Sequence, residues 1–128
     1  MRGVQKLVQV LQVILGLKQD KKYDEALDAI HDSYERFFDE KKVLQIKDID
    51  ELVELCTKEG EFSPDLAFAL ADIINEEADI LELQGGREAV LKHYQTTLKL
   101  YRRALAEKEA AVPVDVMNKI KYLKNKIG

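Results

Sequence analysis

The stretch SPDLAFALADIINEEADILELQGGREAVLKHYQTTLKLYRRAL, Ser63 to Leu105, decides the fold. Ser63-Pro64-Asp65 reads as a helix start. The serine oxygen can accept from orphan backbone N–H groups, proline suits the first helical position, and the aspartate faces the positive end of the dipole. Leu66, Leu70, Ile73, Ile74, Ala78 and Leu81 then recur at three- and four-residue steps, which puts them on one helical face. Phe68, Asp72, Asn75, Asp79 and Glu82 fall on the other side. Gly85-Gly86 tolerates positive φ, so the helix can stop and the chain reverse. The return helix carries Val90, Leu91, Tyr94, Leu98, Tyr101 and Leu105 along one face. A link this short between long helices makes them lie antiparallel.

Upstream, a first helix from about Val4 to Lys18 places Leu7, Leu11, Ile14 and Leu15 in a core stripe, with Val10, Val13 and Leu17 beside it. So wide an apolar arc has two readings: a central position in the bundle, or a second stripe that docks another chain. After a polar link at 18–22, Tyr23-Asp24-Glu25-Ala26-Leu27 restarts a helix with acids in its first turn. Tyr23, Leu27, Ile30, Tyr34, Phe37 and Phe38 share a face, and His31 sits at its edge near Glu35. Asp39 to Lys42 breaks the pattern. Asp48-Ile49-Asp50-Glu51 has capping-box spacing and opens a short helix ending near Gly60. Beyond the main hairpin, Val112-Pro113 marks a boundary. Val116, Met117, Ile120, Leu123 and Ile127 then stripe a last helix whose lysines lie opposite, suited to cover the open end of a stack. The expected organisation is one all-α domain over 1–128. It comprises a hairpin at 4–38, an extra short helix at 48–58, a hairpin at 64–106 and a capping helix at 114–127, about six helices in a right-handed stack or bundle.

Composition agrees with this. A chain of 128 residues with 46% hydrophobic residues supports one core. Six glycines and two prolines leave few breaks, and no tryptophan is present. The single Cys56 cannot form an internal disulfide; on the apolar face of a short helix it reads as a buried, inert thiol. No run approaches the roughly 18 to 20 apolar residues a membrane span needs, and Gln5, Gln9 and Gln12 interrupt the signal-peptide-like start. These features point to a cytoplasmic protein. Net charge is −4 but unevenly spread: residues 20–82 hold 20 acids against 7 bases, while both ends are basic. That balance argues against nucleic acid as a partner. The Lys119, Lys121, Lys124 and Lys126 cluster reads as a solvated face. The acidic middle and basic ends can neutralise each other within the fold or between copies.

The second helices of the two hairpins align with Ala26 on Val90, an offset of 64 residues, a little under two repeats of about 34. Ala26 followed by Ile30, and Val90 followed by Tyr94, give the small-then-large spacing of a tetratricopeptide repeat, and Ala78 fits the small position of a first helix. Ile14 does not, and the usual tryptophan and closing proline are missing. On these residues the chain resembles a divergent two-hairpin relative of that repeat. Leu15-Gly16-Leu17 with Tyr23-Asp24-Glu25-Ala26-Leu27, and Glu76-Glu77-Ala78-Asp79-Ile80 with Gly86-Arg87-Glu88, also resemble an uncharacterised family of short bacterial proteins described only as a domain of unknown function. That resemblance spans most of residues 4–106 and implies no catalytic residues.

Two histidines, one cysteine and no Glu-x-x-His serve metals poorly, and Gly85-Gly86 lacks the sequel of a phosphate loop. No cofactor, metal site or catalytic residue is expected, and the chain does not read as an enzyme. One residue breaks the pattern: Glu77 falls within the stripe of Leu70, Ile73, Ile74 and Leu81. It must find a donor there or take up a proton. The expected donors are Tyr94, Tyr101 or nearby backbone; the functional alternative is a pocket lined by Glu77. The expected role is a protein-interaction or assembly module that holds a partner's peptide or helix against the hairpins. The alternative is a homodimer through Val10, Val13 and Leu17.

Overall fold

Both side-chain caps form as the chemistry requires. Ser63 Oγ accepts from the Leu66 N–H at 3.2 Å, and the Asp48 carboxylate accepts from the Glu51 N–H at 3.1 Å. The structure is a computed structural model that describes residues 2–38, 48–107 and 110–128. Within them the helices are α1 (Arg2–Gln19), α2 (Tyr23–Phe38), α3 (Ile49–Leu55), α4 (Pro64–Leu83), α5 (Arg87–Leu105) and α6 (Val116–Ile127). A two-stranded hairpin, β1 (Thr57–Lys58) and β2 (Glu61–Phe62), precedes α4. The protein is all-α apart from these four residues, a bundle of six helices among the described residues. None of those helices is long and apolar enough to cross a membrane. The expected break at Asp39 to Lys42 lies outside the described residues.

The two long hairpins reverse by the same device. At the end of α4 the Gly85 N–H donates to Glu82 O (2.9 Å) and the Gly86 N–H to Leu81 O (3.1 Å), with Gly85 at φ +96°. At the end of α1, Lys21 N–H donates to Lys18 O (3.0 Å) and Lys22 N–H to Leu17 O (2.8 Å), with Lys21 at φ +61°. Both are Schellman closures, which need one residue in the left-handed region. Glycine fills it at the second turn and lysine at the first.

The extra helix stops at Leu55, short of the expected end near Gly60. Glu59 and Gly60 both take positive φ, 54° and 81°. Two consecutive residues of that kind make the two-residue turn of a β-hairpin. Lys58 and Glu61 face each other across it. Cys56 is buried just before it, as its apolar position implied.

The central element is α4, and this corrects the alternative that placed α1 there. Leu66 through Ala71 are all buried, as are Ile73, Ile74, Asn75, Glu77, Ala78 and Ile80. Phe68 and Asn75, expected on a polar side, are among them. The reason is visible in Leu66-Ala67-Phe68-Ala69-Leu70-Ala71: six apolar residues in a row leave no water-facing side. α4 packs against α5, α1 and α2, and α6 lies on α5. On α1 only Leu7 and Ile14 are fully buried, and Leu15, one residue past Ile14 and so turned about 100° away, is exposed. Met117 is exposed for the same reason, while Val116, Ile120 and Leu123 are buried.

The strained turn gives a direct test. Nothing lies within 4 Å of a Cβ built at Gly85, so Gly85→Ala acts through backbone strain alone and lowers stability by about 1 kcal/mol. Lys21→Gly is expected to raise it by a similar amount. Urea denaturation of both variants checks the pair.

Candidate functional site

The acids of α4 are where the fold and its chemistry meet. Asp72, Glu76, Asp79 and Glu82 follow one another at steps of three and four, a ridge along a helix that is otherwise walled in. Each is met by donors from helices packed around α4. Asp72 accepts from the Tyr101 hydroxyl of α5 and from Lys119 Nζ of α6, the latter at 2.8 Å. Glu76 accepts from Lys18 Nζ of α1 at 2.9 Å. Asp79 accepts from the hydroxyls of Tyr94 and Tyr122, both at 2.7 Å, and from Lys18 at 3.4 Å. Glu82 pairs with Lys126 at 2.5 Å. The basic ends of the chain thus neutralise its acidic middle inside one fold. Lys119 and Lys126 take part in this and are not the solvated face expected of them; Lys121 and Lys124 are exposed.

Glu77 is buried, as its place in the stripe implied, but its partners differ from those expected. Its Oε1 accepts from the Tyr34 hydroxyl at 3.0 Å. His31 Nε2 lies 3.1 Å from Oε2, and His93 Nε2 lies 3.6 Å from Oε1. The chain's two histidines converge on this one carboxylate from α2 and α5. His31 therefore turns to α4, away from Glu35. Tyr94 and Tyr101 are spent on Asp79 and Asp72 instead. Nδ1 of His93 is buried with no partner. Burial first, and the Glu77 charge second, push the Tyr34 hydroxyl well above the ordinary tyrosine range.

Electrostatics follow from burial. Tyr94 and Tyr101 are raised too, by burial first and then by the carboxylates they touch. Lys18 and Lys119 sit above the ordinary lysine value: burial is the largest single influence and lowers them, but the bonds and charges of their acids together outweigh it. Burial raises the Glu76 carboxyl, and Lys18 offsets part of that.

Beside the ridge, α4 and α6 leave an open cleft of about 340 Å³ lined by Asn75, Glu76, Asp79, Asp115, Asn118, Lys119 and Tyr122. Asn75 is only 6% exposed, and its carboxamide oxygen has no hydrogen-bond partner. The apolar side of α1 also reaches the surface. Of the expected interface, Val13 is 56% exposed whereas Val10 and Leu17 are half-buried against the core. The flank on the other side of the buried stripe carries Val8 (45% exposed) and Leu15 (43%), with Val4 and Leu11 half-buried between them.

Reactive groups are quiet. Burial pushes the Cys56 thiol up to about 12. Ser33, Thr57 and Thr97 donate to backbone carbonyls one turn back. Among the described residues no group of three or more His, Cys, Asp or Glu is arranged to hold a metal ion. Set against known proteins, the chain matches no protein-family profile, no curated protein and no solved structure.

Two outcomes check this arrangement. Tyr34→Phe removes a donor from a buried carboxylate and should cost about 1–3 kcal/mol in chemical denaturation, while native Cys56 should resist a thiol reagent until the protein unfolds. The raised lysines and tyrosines share a sign: their contribution is intact below the ordinary values, near 10 to 10.5, and is lost as pH climbs through the higher folded ones. Stability should therefore hold to about pH 9.5 and fall steeply beyond it, and Lys18→Met should lose less between those pH values than the native chain.

Proposed function

We propose that the chain is a protein-interaction or assembly module, holding a partner's peptide or helix on the surface of its helical hairpins. The observation that supports this most is the exposure of Val8, Val13 and Leu15 on α1, a helix whose apolar arc is wider than α2 and α4 cover. Val8 and Leu15 share one flank of α1, and neighbouring exposed aliphatic side chains of this kind commonly mark a contact surface. The paired helical hairpins, with Ala26 and Val90 as matching small positions, favour a tetratricopeptide-like relationship and, through it, the short bacterial family that the sequence resembles. Groove binding by such a layer is an inference from fold analogy. A non-enzymatic role accords with a high-pKa thiol and hydroxyls occupied by backbone. Residence in the cytoplasm accords with a free, buried cysteine.

A homodimer through α1 is the second reading, favoured by the near absence of charge along that helix between Val4 and Leu17, where Lys6 alone is ionised.

Affinity capture from a lysate of the source organism tests the first reading, with the native chain and a Val8→Glu/Val13→Glu/Leu15→Glu variant as baits. A stoichiometric partner retained by the native bait and lost by the variant is the expected result; no partner on either bait refutes it. Sedimentation across a concentration series tests the second reading, and a strict monomer at high concentration removes it.

A further inference from the structure

The exposed flank of α1 leads into the α4–α6 cleft. Val4, Val8, Leu11 and Leu15 step by four, three and four, the spacing that keeps a seam turned toward a second helix. One further step of three reaches Lys18, whose ammonium lies 2.9 Å from Glu76 and 3.4 Å from Asp79. Those two acids line the cleft. An apolar strip and a polar hollow therefore adjoin on one face.

The hollow has a definite charge. Asp72, Glu76, Asp79 and Asp115 stand against Lys18 and Lys119, a residue of two negative charges. The tyrosine and lysine donors are committed: Tyr94 and Tyr122 to Asp79, Tyr101 and Lys119 to Asp72, Lys18 to Glu76 and Asp79. The acceptor open to a newcomer is Asp115, whose side chain is 60% exposed beyond its contact with Lys119. An anion entering here meets net repulsion; a cation meets net attraction and an accessible carboxylate.

We propose that this face docks a basic amphipathic helix of a partner protein, apolar side chains on Val8, Leu11 and Leu15 and one lysine or arginine in the cleft at Asp115, beside Glu76 and Asp79. The inference rests on the interaction-module reading and names the chemistry of its partner. A second copy of this chain is the poorer occupant. Its own α1 would match the apolar strip, but Lys6 lies on the opposite flank with Val13 and Lys18 is already paired with Glu76 and Asp79 of its own chain, so among its described side chains that helix brings no free cation to the cleft.

The probe is a fluorescein-labelled amphipathic peptide of about 18 residues, the span of α1 at roughly 1.5 Å per residue. It carries leucines at three- and four-residue steps and lysines along their border; a twin carries glutamine for every lysine. Anisotropy titrations compare the native protein with Leu15→Glu, Asp115→Lys and Asp28→Lys, the last an equal charge change at an exposed position on α2, each checked for native circular dichroism. The expected result is saturable binding of the lysine peptide, weakened at least tenfold by Leu15→Glu and by Asp115→Lys, changed less than twofold by Asp28→Lys, and lost with the glutamine twin. Equal weakening by Asp28→Lys and Asp115→Lys would reduce the effect to bulk charge and overturn the proposal. Indifference to Leu15→Glu, or self-association of the native chain that Leu15→Glu abolishes, overturns it too. Should the peptide fail while a lysate partner is still captured, this site is wrong and the module reading stands.

Discussion

A helix enclosed on nearly every side cannot leave its carboxylates to water, and α4 carries Asp72, Glu76, Glu77, Asp79 and Glu82 between its middle and its C-terminal end. Each must be met by a donor, and those donors come from α1, α2, α5 and α6. The pairings fix direction as well as distance. Asp72 with Tyr101 and Asp79 with Tyr94 run in opposite order, as an antiparallel hairpin demands. Asp72 with Lys119, Asp79 with Tyr122 and Glu82 with Lys126 advance together, so α6 lies parallel to α4. Ion pairs of this kind roughly break even against well-packed apolar residues. Their effect here is to select one register among several that greasy faces alone would permit, with the aliphatic core supplying most of the net stability.

The same constraint explains which parts of the fold were legible in the sequence. Caps at Ser63 and Asp48, the glycine turn at 85–86 and the helical rows of Leu, Ile and Val are local features, and local rules found them. The burial of Glu77 followed from its neighbours in the row. Its partners did not, because Tyr34, His31 and His93 lie on helices whose rotation one sequence leaves open. A usable signal was nevertheless present. Tyr94 and Tyr101 are seven apart on one arm of the hairpin, and Asp72 and Asp79 are seven apart on the other, so two rungs align at once. Six consecutive apolar residues from Leu66 likewise marked α4 as enclosed, whereas the stripe reading divided them between two faces. The β-hairpin was hidden because Glu59 occupies a left-handed position that a glycine or asparagine usually announces.

Satisfying the interior also shapes the surface. Because Lys18, Lys119 and Lys126 are drawn inward, the basic ends of the chain contribute less positive surface than their composition suggests, and the acids of the cleft remain in slight excess. Because α4 holds the centre, α1 lies to one side with aliphatic residues turned outward on both flanks. Val13 belongs to one flank, Val8 and Leu15 to the other, so the surface expected at Val10, Val13 and Leu17 is divided rather than continuous.

Native-state hydrogen exchange of backbone amides, resolved by residue, tests the central place of α4 most directly. If that helix is the enclosed element on which the others register, its amides from Ala67 to Ile80 exchange slowest, only through global unfolding, while those of α1 and α6 open at lower free energy. Amides of α4 that exchange as fast as those of α1, or faster, would contradict the account.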